Sequence, residues 1–330
     1  GQTLAEQLNI SNKADRIAGI SSGNSFQRVQ DGPFERQLLR SLLARAPRSP
    51  SPSSLIGTGT DSPVLDKNPL DFDLRVDFFR QSEDKVIVAF TVQAENKGLR
   101  FADDGSGLAT AKLNIVGHVT AVTGTRASSF EDAVTTTSTI RELSEAKQRR
   151  SVYQKVITLA PGTYKADVIV RDVETGNRGI VNQGFVVPRY DSKKLSTSSL
   201  VIASRLRSTD VNDIGRMFIN GNAKVVPNLE GIFRRGDEVG IYLQVYNAGI
   251  DQTTLRPAVD VQYVLTKAGK EILKQPEDWK GLSDSSQRLT LARLLPTTTL
   301  DPREYEIKVV TKDRINGRVV ENKGKFTITN

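Results

Sequence analysis

One phrase is written twice in this chain, and the repetition limits what the chain can fold into more than any other feature does. "LAPGTYKADVIVRD" (159–172) returns as "LDPREYEIKVVTKD" (300–313). Pro161 and Pro302, Tyr164 and Tyr305, Asp172 and Asp313, Gly176 and Gly317, and Phe185 and Phe326 all keep one spacing of 141 residues. Upstream, "KVIVAFTVQ" (85–93) is matched by "DEVGIYLQV" (237–245) at a slightly longer spacing, as differing loop lengths would cause. A repeat of this length is a duplicated unit that buries its own core. The copies run over 69–190 and 196–330, each of a size suited to one sandwich domain.

Within each copy the pattern is that of strands. Val86, Val88, Phe90 and Val92 alternate with Ile87, Ala89, Thr91 and Gln93, and Val239, Ile241, Leu243 and Val245 repeat the period of two. That period, with β-branched residues, predicts half-buried strands. Turn clusters at 122–125, 173–177 and 315–318 separate the runs, and no helical pattern intervenes, so antiparallel sheets are expected. The fold class is mainly β: two tandem immunoglobulin-like antiparallel β-sandwiches with an N-terminal extension containing one amphipathic helix. Pro161 and Pro302 cannot donate to a sheet ladder and belong at the corner that enters a strand. Tyr164 and Tyr305 begin that strand, and a ring buried there with its hydroxyl turned back to the backbone is a tyrosine corner. These four residues are expected to be structural.

Residues 1–68 read differently. A helix is predicted over about 33–46, with Pro33 in the first turn, Glu35 at the positive dipole end and Pro47 as its stop. Phe34, Leu38, Leu39, Leu42 and Leu43 form one apolar stripe, and so short a helix is marginal in water unless the stripe docks. A Pro/Ser-rich linker follows over 47–63. Leu4, Leu8 and Ile10 share a face if residues 3–10 are extended, which would let the segment add to a sheet edge of a neighbouring subunit. Docking on the chain's own sandwiches is the alternative. Leu4, Leu8, Ile10, Phe34, Leu38 and Leu42 are therefore the expected assembly contacts.

Composition bears on the chemistry. The chain has no cysteine, so disulfides, thiolate metal sites and cysteine nucleophiles are excluded together. Its formal charge is +8, but the cations are scattered and not interleaved with aromatics, as a nucleic-acid binder would need. No run approaches the ~20 apolar residues of a membrane-spanning helix. His118 is the single histidine; it is read as an exposed strand residue opposite the face of Leu113, Ile115 and Val119. "ADDGSGL" (102–108) lacks the closing Glu of a calcium loop and reads as a surface hairpin. Asp61, Asp66, Asp71 and Asp73 are read as solvated charge, and Trp279 is the sole tryptophan available to stack on a sugar. No catalytic residue, metal site or cofactor is expected.

Three phrases, at 152–179, 187–206 and 224–248, together resemble the β-rich region of secreted, mostly acidobacterial proteins that carry von Willebrand factor A or GWxTD modules. The resemblance spans about residues 70–330. It implies an exported protein with tandem immunoglobulin-like modules and supplies no established activity. The GWxTD string does not occur in this sequence, and neither does the Asp-x-Ser-x-Ser metal motif. Gly1 in place of Met is what a cleaved secretion signal would leave, so a secreted or cell-surface location is expected. The reading is a non-catalytic structural protein whose partner is itself, in the sharpest form a filament subunit. The alternative is a carbohydrate- or protein-binding accessory module that uses loops at one end of a sandwich.

Overall fold

The computed structural model describes residues 27–28, 70–103, 105–209, 217–277 and 288–330. The predicted helix, the linker, Trp279 and the six expected assembly contacts (Leu4, Leu8, Ile10, Phe34, Leu38 and Leu42) lie outside the described residues.

The first sandwich opposes two sheets. One has the order β2 (Phe72–Arg80), β3 (Val86–Glu95), β7 (Arg150–Leu159). The other runs β1 (Gln27–Arg28), β6 (Arg126–Thr139), β5 (Leu108–Ala121), β8 (Gly162–Asp172), β9 (Arg178–Val187), with β4 (Ala102–Asp103) beside β5. All these pairs are antiparallel. The second sandwich repeats the plan. Its first sheet holds β18 (Arg288–Pro296), β15 (Glu238–Tyr246), β11 (Val201–Ser208), β13 (Ala223–Pro227) and β12 (Ile219–Asn220), with β10 (Ser196–Thr197) on the β11 side of β15. Its second sheet has the order β14 (Ile232–Arg234), β20 (Val319–Thr329), β19 (Glu304–Asp313), β16 (Val259–Lys267), β17 (Lys270–Pro276). The arrangement is immunoglobulin-like.

Two expectations are corrected. The sheets are not wholly antiparallel: β14 runs parallel to β20. Gly231, at φ 65°, turns the chain out of the β13 sheet, and its N–H is held by Asn228 Oδ1 at 3.0 Å. A Cβ there would lie 2.9 Å from the Lys325 carbonyl oxygen, so the close approach needs glycine. Nor are the strands free of helix between them, because α1 (Leu143–Lys147) links β6 to β7. The turn before it starts where Thr139 Oγ1 accepts the Glu142 N–H, and Asn96 Nδ2 donates to the Ala146 carbonyl from below.

The repeated phrase forms the same corner twice. Tyr164 Oη donates to the Ala160 carbonyl and Tyr305 Oη to that of Asp301, both at 3.0 Å. The rings stack on Phe185 and Phe326, with centroids 5.8 and 5.6 Å apart. Pro161 and Pro302 precede β8 and β19. The closing aspartates explain the other end of the phrase. Asp172 Oδ1 accepts the N–H groups of Glu174 and Thr175, and Oδ2 accepts that of Arg100. Asp313 Oδ1 takes Ile315 and Asn316, and Oδ2 takes Gly249. Each carboxylate is fully buried and ties the turn after its strand to the loop after the equivalent of β3. Gly176 and Gly317 close these turns at φ 75° and 70°.

The upstream match needs a shift of one residue. In β3 the even positions Val86, Val88, Phe90 and Val92 enter the core; in β15 the odd positions Val239, Ile241, Leu243 and Val245 do. Matching 85 with 237 would therefore exchange the faces. Aligning Gln93, Asn96 and Gly98 with Gln244, Asn247 and Gly249 restores them. These strands are also not half-buried: Ala89, Thr91 and Gln93, and Tyr242, Gln244 and Tyr246, are buried on the opposite face.

Removing the corner hydroxyls should separate the two sites. Tyr305→Phe is expected to lower the unfolding free energy by about 1 kcal/mol, the net worth of a partly buried hydrogen bond. Tyr164→Phe should cost less, because its hydroxyl is exposed. Urea denaturation of both variants measures the difference; an equal loss, or none at Tyr305, would refute the ranking.

Candidate functional site

The second buried face of β3 and β15 identifies the feature that most distinguishes this molecule from two beads on a string. The sheet β2-β3-β7 lies back to back against the sheet of β15, so the described strands stack in four layers. An apolar cluster joins them: Phe79 and Ala89 from the first sandwich, Val201, Ala203, Leu206, Ala223, Val225, Tyr242 and Ala292 from the second. Phe79 meets Tyr242 edge-on at 6.2 Å. Beside it Val152 packs with Phe218 and Val226. Phe218 holds a φ of 70°, unusual for a bulky residue, to present its ring to this contact.

A chain of hydrogen bonds runs along the junction and crosses it at its first member. The Arg80 N–H donates to Tyr246 Oη (3.0 Å), which donates to Gln244 Oε1 (2.7 Å). Gln244 Nε2 donates to Tyr242 Oη (2.6 Å), which donates to the Asn220 carbonyl (3.1 Å). Each buried polar atom thus has its partner. The connecting segment adds backbone pairing. The Ser199 N–H donates to the Phe78 carbonyl, and the Phe78 N–H to Ser199 Oγ, so the chain entering the second sandwich meets the outer edge of β2 at Phe78. Tyr190 meets Tyr246 edge-on at 5.3 Å. Arg80 Nη1 donates to Asn247 Oδ1, whose amide holds the Asp191 and Lys194 carbonyls.

The junction opens on one side into a groove lined by Asp73, Leu74, Arg75, Val76, Gln183, Leu229 and Glu230. Its charges are committed to one another. Arg150 reaches Asp73 (3.2 Å), Glu95 (2.8 Å) and Glu230, which joins the two sandwiches. Arg75 pairs with Asp77 and donates to the Leu200 carbonyl. Burial raises the Asp77 carboxyl above its usual range, against the pull of Arg75. The Leu229 N–H donates to Gln93 Oε1 at the groove floor.

Each sandwich also encloses one carboxylate–cation–tyrosine cluster. In the first, Asp132 Oδ2 accepts from Tyr153 Oη and from Lys155 Nζ (2.8 Å). In the second, Glu277 accepts from Tyr263 Oη (2.5 Å) and Arg293 (2.9 Å). Lys155 and Arg293 stand at equivalent places, opposite Phe90 and Ile241. A buried carboxylate held by a tyrosine hydroxyl and a cation is suited to specifying the packing of the core around it.

The other expected residues fall as follows. Pro161, Tyr164, Pro302 and Tyr305 form the corners described above, away from the junction. His118 is half-buried, not exposed, because β5 is a central strand and Ser129 and Asp167 flank it. Burial lowers its pKa, assisted by Arg126 and opposed by Asp167. Asp103 Oδ1 accepts the Gly105 N–H within the 102–108 loop. Among the described residues there is no group of three or more His, Asp or Glu that could hold a metal ion, and no helix long and apolar enough to cross a membrane. The junction itself went unread. Its signal was Tyr242, Gln244 and Tyr246 on a face that solvent was expected to cover.

No protein-family model matches the chain, and no curated protein matches it. Among solved structures it is similar to red sea bream transglutaminase at 8% identity and a TM-score of 0.23, over 92% of this chain and 34% of that one. The chain thus spans about a third of that enzyme's length.

Two predictions follow from these buried groups. Burial holds the Tyr190 and Tyr246 hydroxyls well above the ordinary value of 10.0; burial and then Glu277 do the same for Tyr263. The folded protein keeps these protons while the unfolded chain releases them. Stability is therefore complete below about pH 10 and falls as the pH rises beyond it. Phenolate absorbance followed with circular dichroism should show these tyrosines ionising only as the fold is lost; early, reversible ionisation of all seven would contradict this. Second, Lys155→Met removes the cation from buried Asp132 and should cost about 3 kcal/mol, most of it recovered by adding Asp132→Asn. Equal stability of the single and double variants would count against the ion pair.

Proposed function

We propose that the protein is a non-catalytic structural protein of the cell surface or extracellular space, a self-assembling filament subunit whose N-terminal segment packs on a neighbouring subunit. The observation that carries this reading is the junction. It joins the two sandwiches into one four-layered block, and the ionic groups of the groove and of both cores are engaged with each other. Such a block suits bearing and transmitting load better than closing on a substrate. In this reading Leu4, Leu8, Ile10, Phe34, Leu38 and Leu42 are the assembly contacts, and the partner is a second copy of the chain.

A second reading, a carbohydrate- or protein-binding module, draws on the loop end of the second sandwich. Leu255, at φ 54°, is 73% exposed on a turn stitched by Asp251, and Ile315 is 60% exposed on the turn held by Asp313. Exposed aliphatic side chains on rigid loops favour a binding role.

Deleting residues 1–30 separates the readings. The truncated protein is expected to keep its thermal unfolding midpoint and to lose assembly, followed by light scattering and negative-stain microscopy. Assembly indistinguishable from that of the full chain would overturn the filament reading, and glycan binding by a strictly monomeric full chain would favour the second.

A further inference from the structure

The strands β6 and β17 occupy equivalent places, each beyond the strand that pairs with β8 or β19; β17 ends its sheet, and β6 is followed by the two-residue β1. Their chemistry differs. All seven residues of β17 are exposed, and the strand carries Lys270, Lys274 and Pro276. Lysines and a proline on an edge oppose the addition of another strand. In β6 the run Ala133–Thr139, "AVTTTST", has no charge, no proline and no glycine, and is rich in β-branched residues. An uncovered edge of that composition is a site for strand pairing.

The structure also shows what covers it. Gln27 pairs antiparallel with Thr135, and Arg28 with Val134, in the middle of the run. Within the 14 residues of β6, the pairing described on the outer side falls at Val134 and Thr135. Residues 29–69 separate this contact from the first sandwich, and a fully extended chain of that length reaches on the order of 130 Å. The same pairing is therefore within reach of the chain's own edge and of a neighbour's edge, and exchange of one identical strand for another loses no contact.

We infer that in the assembled protein the segment containing Gln27 and Arg28 of one copy adds to the β6 edge of a second copy, with Gln27 opposite Thr135. This rests on the self-assembly reading above and names its acceptor. The backbone of Ala133–Thr139 supplies the affinity and the neighbour's segment continues its sheet, as in strand addition generally. The β17 edge takes no strand.

The absence of cysteine makes the test specific. Full-length Gln27→Cys and Thr135→Cys chains, distinguishable by a tag, are mixed under assembly conditions and oxidised. A disulfide-linked pair of the two different chains is expected, at a yield at least tenfold above that of Gln27→Cys mixed with Leu273→Cys on β17. A bridge formed only within the double variant Gln27→Cys/Thr135→Cys, or no bridge at all, overturns the inference. Circular dichroism of each variant confirms the sandwiches. Microscopy of the wild-type chain keeps the two readings apart. Filaments without the mixed bridge would retain the assembly reading and remove this acceptor. The mixed bridge without filaments would retain the strand exchange and remove the filament.

Discussion

The back-to-back packing of two sheets governs the rest of this structure. β3 and β15 face a core on one side and each other's sandwich on the other, so neither has a solvent face. Antiparallel sheets commonly keep one wet face; here that face is replaced by Phe79, Ala89, Tyr242 and their neighbours. The connecting segment then has little freedom. Tyr190 and Ser199 are drawn against β2, where both meet the Phe78 carbonyl.

The apolar part of that contact is tolerant of sliding, but the polar part is not. Tyrosine and glutamine buried in a junction need their hydrogen bonds, and an unmade one costs about 1–3 kcal/mol. The bonds from Arg80 to Tyr246 and Asn247, from Leu229 to Gln93 and from Arg75 to the Leu200 carbonyl cross between the sandwiches and are made together in one relative setting. Arg150 adds a second constraint at the groove, where its contact with Glu230 spans the two sandwiches. Hydrophobic area supplies the attraction, and these groups select the orientation.

What was legible in the sequence was local. The hydroxyls of Tyr164 and Tyr305 and the Oδ1 atoms of Asp172 and Asp313 find partners within four residues, so the corner and its turn survive as a readable phrase. The facing of β3 against β15 was not readable by simple matching, because a loop had shifted by one residue and alternation alone does not say which face is the core. The junction was hidden for a related reason. Ala89, Thr91 and Gln93 are of middling polarity and suit either water or a second sheet, and only the partner sheet decides. The parallel pairing of β14 depends on Gly231 meeting Lys325, residues almost a hundred positions apart, which no local pattern encodes.

The direction of the junction has a geometric consequence. Arg80, where β2 turns into β3, meets Tyr246 at the finish of β15, while Gln93 near the finish of β3 meets Leu229 ahead of β15. The two central strands therefore cross the junction in opposite senses. The loops closed by Asp172 and those closed by Asp313 point away from each other, at the two poles of the block. A body that engaged both would have to reach from one end of the strands to the other.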